Sequence, residues 1–132
     1  MQLWENLRPG EKLEDRKTAQ WIDIGFQGKD PSTDFRGAGI LGLKQLLAIT
    51  SRKYQFHSRA IEIYDGSTQT EHWFFFACAG LNITQKLLVT LNEDCDEKLT
   101  LLLMNTDFKK VKMFEIFTAL YFQCFVRFSQ RW

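Results

Sequence analysis

Arg36 is the residue of this sequence whose surroundings most strongly suggest chemistry. It follows a polar turn, at the point where the sequence predicts the beginning of a helix. The first turn of a helix has unpaired N–H groups and a partial positive charge, so a cation there costs from a few tenths to ~1 kcal/mol unless an anion lies opposite it. The candidate anions are the carboxylates of Asp23, Asp30 and Asp34, and a phosphate that a partner brings.

An arginine in this position suits one reaction in particular. In GTP hydrolysis by small GTPases the phosphoryl oxygens gain negative charge in the transition state, and an arginine from a second protein accelerates the reaction by ~10³ to 10⁵. The nucleotide, the magnesium ion and the attacking water all belong to the GTPase, so a chain without an active site of its own can still be the catalyst. An ion pair that ties Arg36 to its own turn is the other interpretation of the same residue.

The remaining candidate sites are better explained by structure than by chemistry. Residues 37–42 match the dinucleotide-binding pattern G-x-G-x-x-G, but a turn precedes them instead of a strand, so we expect Gly39 and Gly42 to let another helix approach closely. His57 and His72 are the only histidines, and neither has metal-ligating neighbours at the spacing of a zinc site. The sequence therefore predicts no metal site and no cofactor.

The composition predicts one globular domain that covers residues 1–132. Hydrophobic residues make up 45% of the chain and aromatic residues 14%, so we expect a core packed with rings. The formal net charge of +1 argues against nucleic acid as a partner, because binding to its backbone requires a strongly basic surface. The 3 cysteines lack paired spacing, and we expect them to be reduced.

No targeting segment is apparent in the sequence. The first residues lack the basic and apolar stretches of a signal peptide. The longest apolar run, over residues 73–81, is much shorter than the ~20 residues of a membrane-spanning helix. We therefore expect a cytoplasmic protein that is peripheral to membranes at most and whose contact with a membrane is indirect.

Hydrophobic periodicity predicts an all-α fold, a single-domain helical bundle of about five to seven helices. Gly25 should end the first helix, and Thr33 or Asp34 should cap the second, which places Arg36 in its first turn. Residues 54–70 fit either a short strand or a helical turn. The predicted helices cover residues 11–24, a segment that begins at 33 or 34, residues 70–91, residues 94–104 and the segment from 111 to the chain end.

Periodicity also predicts which side chains are buried. Trp21 and Phe35 share helical faces with other apolar residues, so we expect both to be buried. Phe26 and Gln27 follow the helix-ending Gly25, and we expect them on a surface that a partner touches. The last helix should pack lengthwise against a neighbour through a seam of residues at alternating steps of three and four: Val111, Phe114, Thr118, Tyr121, Phe125, Phe128 and Trp132.

Residues 21–46 form one long pattern, W-x-x-φ-G-F-Q-x-x-x-P-x-T-D-F-R-G-x-G-x-x-x-L-x-x-L, where φ is apolar. This pattern resembles that of the ELMO domain family, named for engulfment and cell motility proteins, and in particular its ELMO-domain-containing branch. Similarities at residues 3–4, 82–84 and 125–132 extend the resemblance over nearly the whole chain. The matching residues are Trp21, Ile24, Gly25, Phe26, Gln27, Pro31, Thr33, Asp34, Phe35, Arg36, Gly37, Gly39, Leu43 and Leu46.

The resemblance implies GTPase-activating activity on small GTPases of the Arf/Arl family, with Arg36 as the catalytic arginine. The GTPase would carry the GTP and the magnesium. The sister branch consists of scaffolds that act with Dock-type exchange factors for Rac, and in them the arginine is replaced. Retention of Arg36 favours the activating protein, and the alternative is a non-catalytic binding module of the scaffold type. The expected partner-binding residues are Phe26, Gln27, Asp30, Thr33 and Asp34.

Overall fold

All regular structure in the described part of the chain is helical. The structure is a computed structural model that describes residues 1–93 and 110–132. These ranges contain no strand, which confirms the predicted all-α fold, while the predicted helix over residues 94–104 lies outside them. The α-helices are α1 (Gln2–Leu7), α2 (Gly39–Thr50), α3 (His57–Ser67), α4 (Phe76–Glu93) and α5 (Lys110–Arg131), and 3-10 helices cover Ala19–Ile24, Pro31–Asp34 and Arg36–Ala38.

The helices α2 and α4 cross at close range because each has a glycine at the contact. A Cβ atom on Gly42 of α2 would lie 2.7 Å from Leu81 Cδ2 of α4, and one on Gly80 of α4 would lie 2.5 Å from Leu46 Cδ2 of α2. Both distances are well inside the ~3.5 to 4.0 Å of ordinary carbon–carbon contact. The close approach predicted for Gly42 is therefore confirmed.

Gly39 does not serve the purpose that the sequence suggested. A Cβ atom there would have nothing within 4 Å, so the expected helix contact at this position is wrong. Gly39 instead has a φ of +55°, a backbone conformation in which side chains other than that of glycine are strained. Its role is to turn the chain into α2.

Aromatic rings from four elements fill the core. Trp4 of α1 contacts Trp21 edge-on at a centroid distance of 6.2 Å, and Phe76 of α4 stacks on Phe125 of α5 at 5.0 Å. Such pairs add ~0.5 to 1.5 kcal/mol each to the stabilisation from burial. The predicted seam of α5 is confirmed where its side chains are described: Thr118, Tyr121 and Phe125 are buried, Phe114 and Phe128 are half-buried, and only Trp132 is exposed.

The predicted α-helix over residues 11–24 is wrong. Residues 11–18 form no helix, and Ala19–Ile24 is a 3-10 helix whose first turn is capped by the Thr18 hydroxyl. Gly25 ends this element in the left-handed conformation at a φ of +90°, so the predicted end point is confirmed.

Side chains, two indoles among them, bond backbone groups of residues 11–18 in place of a helix. Trp4 Nε1 donates to the Glu11 carbonyl at 2.8 Å, and Trp21 Nε1 donates to the Arg16 carbonyl at 2.9 Å. Buried indole N–H groups need acceptors, and these carbonyls supply them while the rings stay in the core. Of the predicted helical stripe in this segment, Leu13 is half-buried against the core, whereas Lys17 is exposed and pairs with Asp30.

The later α-helices begin at different places from those predicted. α2 begins at Gly39, because Arg36 has a φ of +37° that a right-handed α-helix does not permit. Arg36 thus precedes the helix instead of lying in its first turn. α4 begins at Phe76 instead of Thr70. Residues 54–70, which fitted a strand or a helical turn, contain α3.

The close helix crossing predicts opposite effects of the same substitution at two glycines. Gly80→Ala should lower the free energy of unfolding by ~1 to 3 kcal/mol, because the new methyl group overlaps the fully buried Leu46 and Tyr121. In α3, a Cβ atom on Gly66 would have nothing within 4 Å, so Gly66→Ala should raise the free energy of unfolding by ~0.5 kcal/mol. Urea unfolding measures both, and equal effects of the two variants would contradict the crossing.

Candidate functional site

The candidate site is the turn over residues 25–38, which we call the Arg36 turn. Its beginning is fixed to the first turn of α4, where the Cys78 N–H donates to the Gly25 carbonyl at 2.9 Å. A Cβ atom on Gly25 would overlap the backbone of Phe76 and Ala77, so only glycine allows this contact. The Arg36 turn therefore starts from a rigid position on the core.

Asp34 holds the two halves of the Arg36 turn together. Its carboxylate is buried, and Oδ2 accepts the Gln27 backbone N–H at 2.8 Å and faces Cys78 Sγ at 3.8 Å. Burial, and after it the nearby Asp34 charge, raises the pKa of the Cys78 thiol to about 11, so the thiol keeps its proton. A buried carboxylate with these two donors fixes the position of Gln27 relative to the 3-10 helix Pro31–Asp34.

The Asp30 carboxylate has ion-pair and hydrogen-bond partners other than Arg36. It ion-pairs with Lys17 Nζ at 2.7 Å, has Arg16 Nη1 at 3.9 Å, and accepts from both the backbone N–H and the hydroxyl of Ser32. The Lys17 ammonium, followed by the Ser32 hydroxyl, holds the pKa of this carboxyl well below its usual range. The sequence Asp30-Pro31-Ser32 carries the signal of a side chain that caps its own turn, and this signal was missed.

Arg36 is exposed and is the only non-glycine residue with a positive φ in the described part of the chain. Its Nη2 donates to Oε1 of Gln27 at 3.0 Å. Among the residues that the structure describes, no carboxylate lies within ion-pair distance of its guanidinium. The three acids considered as its partners, Asp23, Asp30 and Asp34, are therefore not paired with it.

The five expected partner-binding residues differ in their exposure. Gln27, which contacts Arg36, and Thr33 are exposed, Asp30 is half-buried and Asp34 is buried. The expectation that Phe26 lies on the surface is wrong: its side chain is 1% exposed and contacts Trp21 edge-on at 5.7 Å. The position of Phe26 after a helix-ending glycine suggested a loop tip, but the left-handed Gly25 turns the chain back into the core.

The two aromatic residues expected to be buried behave differently. Trp21 is buried, as predicted. Phe35 is half-buried and packs against the core, so the prediction that it is buried is confirmed only in part. The short 3-10 helices on either side of Phe35 place its ring at the edge of the core. The predicted α-helix would have placed the ring inside the core.

An apolar groove of about 390 Å³ adjoins the Arg36 turn. It lies between α4 and the end of α5, and Gln27 forms part of its wall. At one side Trp132 Nε1 donates to the Trp73 carbonyl at 2.9 Å, and both indoles are more than half exposed. The groove is lined mainly by Phe74, Phe75, Ile83, Phe128 and Trp132.

Two kinds of site, a metal centre and a membrane span, are absent from the described residues. Over 1–93 and 110–132, no three His, Cys, Asp or Glu residues gather as ligands for a metal ion. His57 Nδ1 lies 2.8 Å from the Thr50 carbonyl, and His72 is exposed. None of the helices within these ranges combines the length and the apolar character that crossing a membrane requires.

Comparison with known proteins relates the chain to one family. ELMO domain-containing protein 2 of Homo sapiens is 42% identical over 85 residues, which are 64% of this chain and 28% of that protein. ELMO domain-containing protein 1 of Mus musculus is 54% identical over 52 residues, or 39% of this chain and 16% of the relative. ELMO domain-containing protein B of Dictyostelium discoideum is 42% identical over 86 residues, or 65% of this chain and 29% of the relative.

The chain thus spans less than a third of the length of these relatives. No solved structure matches it. The model of the ELMO/CED-12 family matches residues 1–132, and the chain therefore belongs to the ELMO/CED-12 family.

Proposed function

We propose that this domain accelerates GTP hydrolysis on a small GTPase of the Arf/Arl family by supplying Arg36 to the bound nucleotide. The observation that carries the proposal is an exposed guanidinium whose hydrogen-bond acceptor is neutral and to which no carboxylate of the described residues is paired. The choice of the Arf/Arl family rests on the resemblance of the T-D-F-R-G motif at residues 33–37, since the relatives' names state only that they contain an ELMO domain.

The reaction requires only this one side chain from the domain, because the GTPase supplies the other reacting groups. Water on the GTPase attacks the γ-phosphorus, the bond from phosphorus to the β–γ bridging oxygen breaks, and GDP and phosphate leave. Negative charge accumulates on the bridging and γ-phosphoryl oxygens during this step, and the GTPase-bound magnesium neutralises only part of it. Arg36 offers a planar set of N–H donors that can contact two oxygens at once.

The acids around Arg36 keep its charge available. A carboxylate paired with a guanidinium would have to be displaced before a phosphate could bind. Asp30 is instead neutralised by Lys17, and Asp34 is directed at the backbone of Gln27. Arg36 therefore approaches a nucleotide with its full positive charge.

A second function is favoured by the apolar groove. The domain could act as a non-catalytic binding module, of the scaffold type that works with a Dock-type exchange factor for Rac, and use the groove to dock a protein segment. This role needs the apolar wall of the groove, which includes the exposed ring of Trp132, and makes no use of the Arg36 charge. Neither role involves nucleic acid, and membrane contact would be indirect in both.

The first test is Arg36→Lys in single-turnover GTP hydrolysis with a panel of Arf-family GTPases. Lysine keeps the charge but cannot contact two oxygens with a planar fork, so we expect the acceleration to fall by at least ~100-fold. Arg52→Lys, at an exposed arginine in the turn after α2, is the matched control and should have full activity. Equal acceleration by Arg36→Lys and the unmodified domain would show that Arg36 is not the catalytic arginine.

The second test separates function from stability at the same position. Arg36→Gly removes the strain of a positive φ and should raise the free energy of unfolding by ~0.5 to 1 kcal/mol. Arg36→Ala keeps that strain and loses only an exposed hydrogen bond, so its stability should stay within ~0.5 kcal/mol of the starting value. Both variants should lose GTPase activation. A loss of several kcal/mol in Arg36→Ala would instead indicate that Arg36 is a structural residue.

A further inference from the structure

The hydrogen bond between Arg36 and Gln27 joins two exposed side chains across the Arg36 turn. Arg36 Nη2 donates to Gln27 Oε1 at 3.0 Å, and the two residues are nine positions apart in the sequence. No other hydrogen bond of the Arg36 guanidinium occurs within the described residues, which leaves its remaining donors open. The Arg36 guanidinium is therefore held through Nη2, in a residue that is exposed to solvent.

Gln27 is a rigid support for this contact. Its backbone N–H is held by the buried Asp34 carboxylate at 2.8 Å, and the preceding Phe26 is 1% exposed. Two residues before Gln27, the Gly25 carbonyl accepts a hydrogen bond from the Cys78 N–H at the start of α4. The Gln27 side chain thus projects from a backbone that is fixed at its own N–H and at the two preceding residues.

The backbone next to Arg36 is fixed to the same helix. A Cβ atom on Gly37 would lie 2.7 Å from Gln85 Nε2, so the chain after Arg36 packs directly against a side chain of α4. The backbone near both ends of the Arg36–Gln27 hydrogen bond, at Gly25 and at Gly37, therefore contacts α4. With φ at +37°, the Arg36 backbone is held in the conformation in which its side chain meets Gln27.

We propose that Gln27 is a positioning residue for the Arg36 guanidinium in GTPase activation. This inference rests on the proposed function. A free arginine has many rotamers, and ordering it in the transition state costs entropy that prior ordering avoids. Gln27 supplies that order through a neutral amide oxygen, so the arginine is directed outwards without loss of its charge. A glutamate would give the same order but would neutralise the charge that the phosphates require.

Two substitutions at Gln27 separate order from charge. Gln27→Ala should reduce the single-turnover rate of hydrolysis by about tenfold through loss of orientation, compared with at least ~10³-fold for Arg36→Ala. Gln27→Glu should keep Arg36 ordered and still reduce the rate, because the carboxylate competes with the phosphates for the guanidinium. Gln123→Ala, at an exposed glutamine on α5, is the matched control and should have no effect.

Side-chain NMR of the Arg36 Nε–H group provides a measurement that does not depend on activity. The ¹⁵N heteronuclear NOE should fall in Gln27→Ala and be retained in Gln27→Glu, with the melting temperature of both variants close to that of the unmodified domain. An unchanged NOE in Gln27→Ala, or full activity of Gln27→Glu, would overturn the positioning role. A large drop in melting temperature would also overturn it, because Gln27 would then serve the stability of the turn.

A GTPase whose own water-orienting glutamine is replaced by leucine distinguishes positioning from direct participation. If Gln27 only positions Arg36, the unmodified domain should give little acceleration on this GTPase. Strong acceleration that disappears in Gln27→Ala would mean that the Gln27 amide acts on the attacking water, and would overturn the proposal. If Arg36→Ala is inactive and Gln27→Ala fully active, the positioning role fails while the proposed function stands. If the unmodified domain activates no GTPase of the panel, the proposed function itself fails.

Discussion

The hydrogen bond from the Gln27 backbone to the buried Asp34 carboxylate is the interaction on which the site depends. A buried carboxylate is costly unless donors satisfy it, so Asp34 draws the loop after Gly25 towards the 3-10 helix that contains it. The Cys78 thiol adds a second donor from α4. Two parts of one turn, seven residues apart, and the distant first turn of α4 thereby take fixed relative positions, in which the exposed Arg36 and Gln27 side chains meet.

The distribution of charge in the turn follows from the same arrangement. Asp34 is buried, and its carboxylate accepts from a backbone N–H and a thiol. Asp30 faces the non-helical segment over residues 11–18 and pairs there with Lys17. Because neither acid pairs with Arg36, the arginine donates its hydrogen bond to the neutral amide oxygen of Gln27. The pairing of Asp30 with Lys17 therefore removes one carboxylate that could otherwise neutralise Arg36.

The fold was predictable from the sequence where one physical rule dominated. The seam of α5 and the close contact at Gly42 follow from periodicity and side-chain size, and both are confirmed. The predicted helix over residues 11–24 was wrong: the Trp4 and Trp21 indoles donate to backbone carbonyls seven and five residues away, and helical periodicity does not predict such bonds. The burial of Phe26 and the partners of Asp30 likewise depend on segments that meet only in the folded chain. Arg36 was found from its motif, whereas its link to Gln27 required the three-dimensional structure.

The positions of the four tryptophans have a spectroscopic consequence. Trp4 and Trp21 are 1% and 5% exposed and lie in the core, so their fluorescence should emit at the blue edge. Trp73 and Trp132 are 53% and 58% exposed, lie together beside the groove, and should emit at the red edge. The chain thus contains two natural pairs of fluorophores: a core pair that reports unfolding, and an exposed pair in which Trp132, a wall residue of the groove, reports binding there. Binding and folding can be followed separately in the same unlabelled protein.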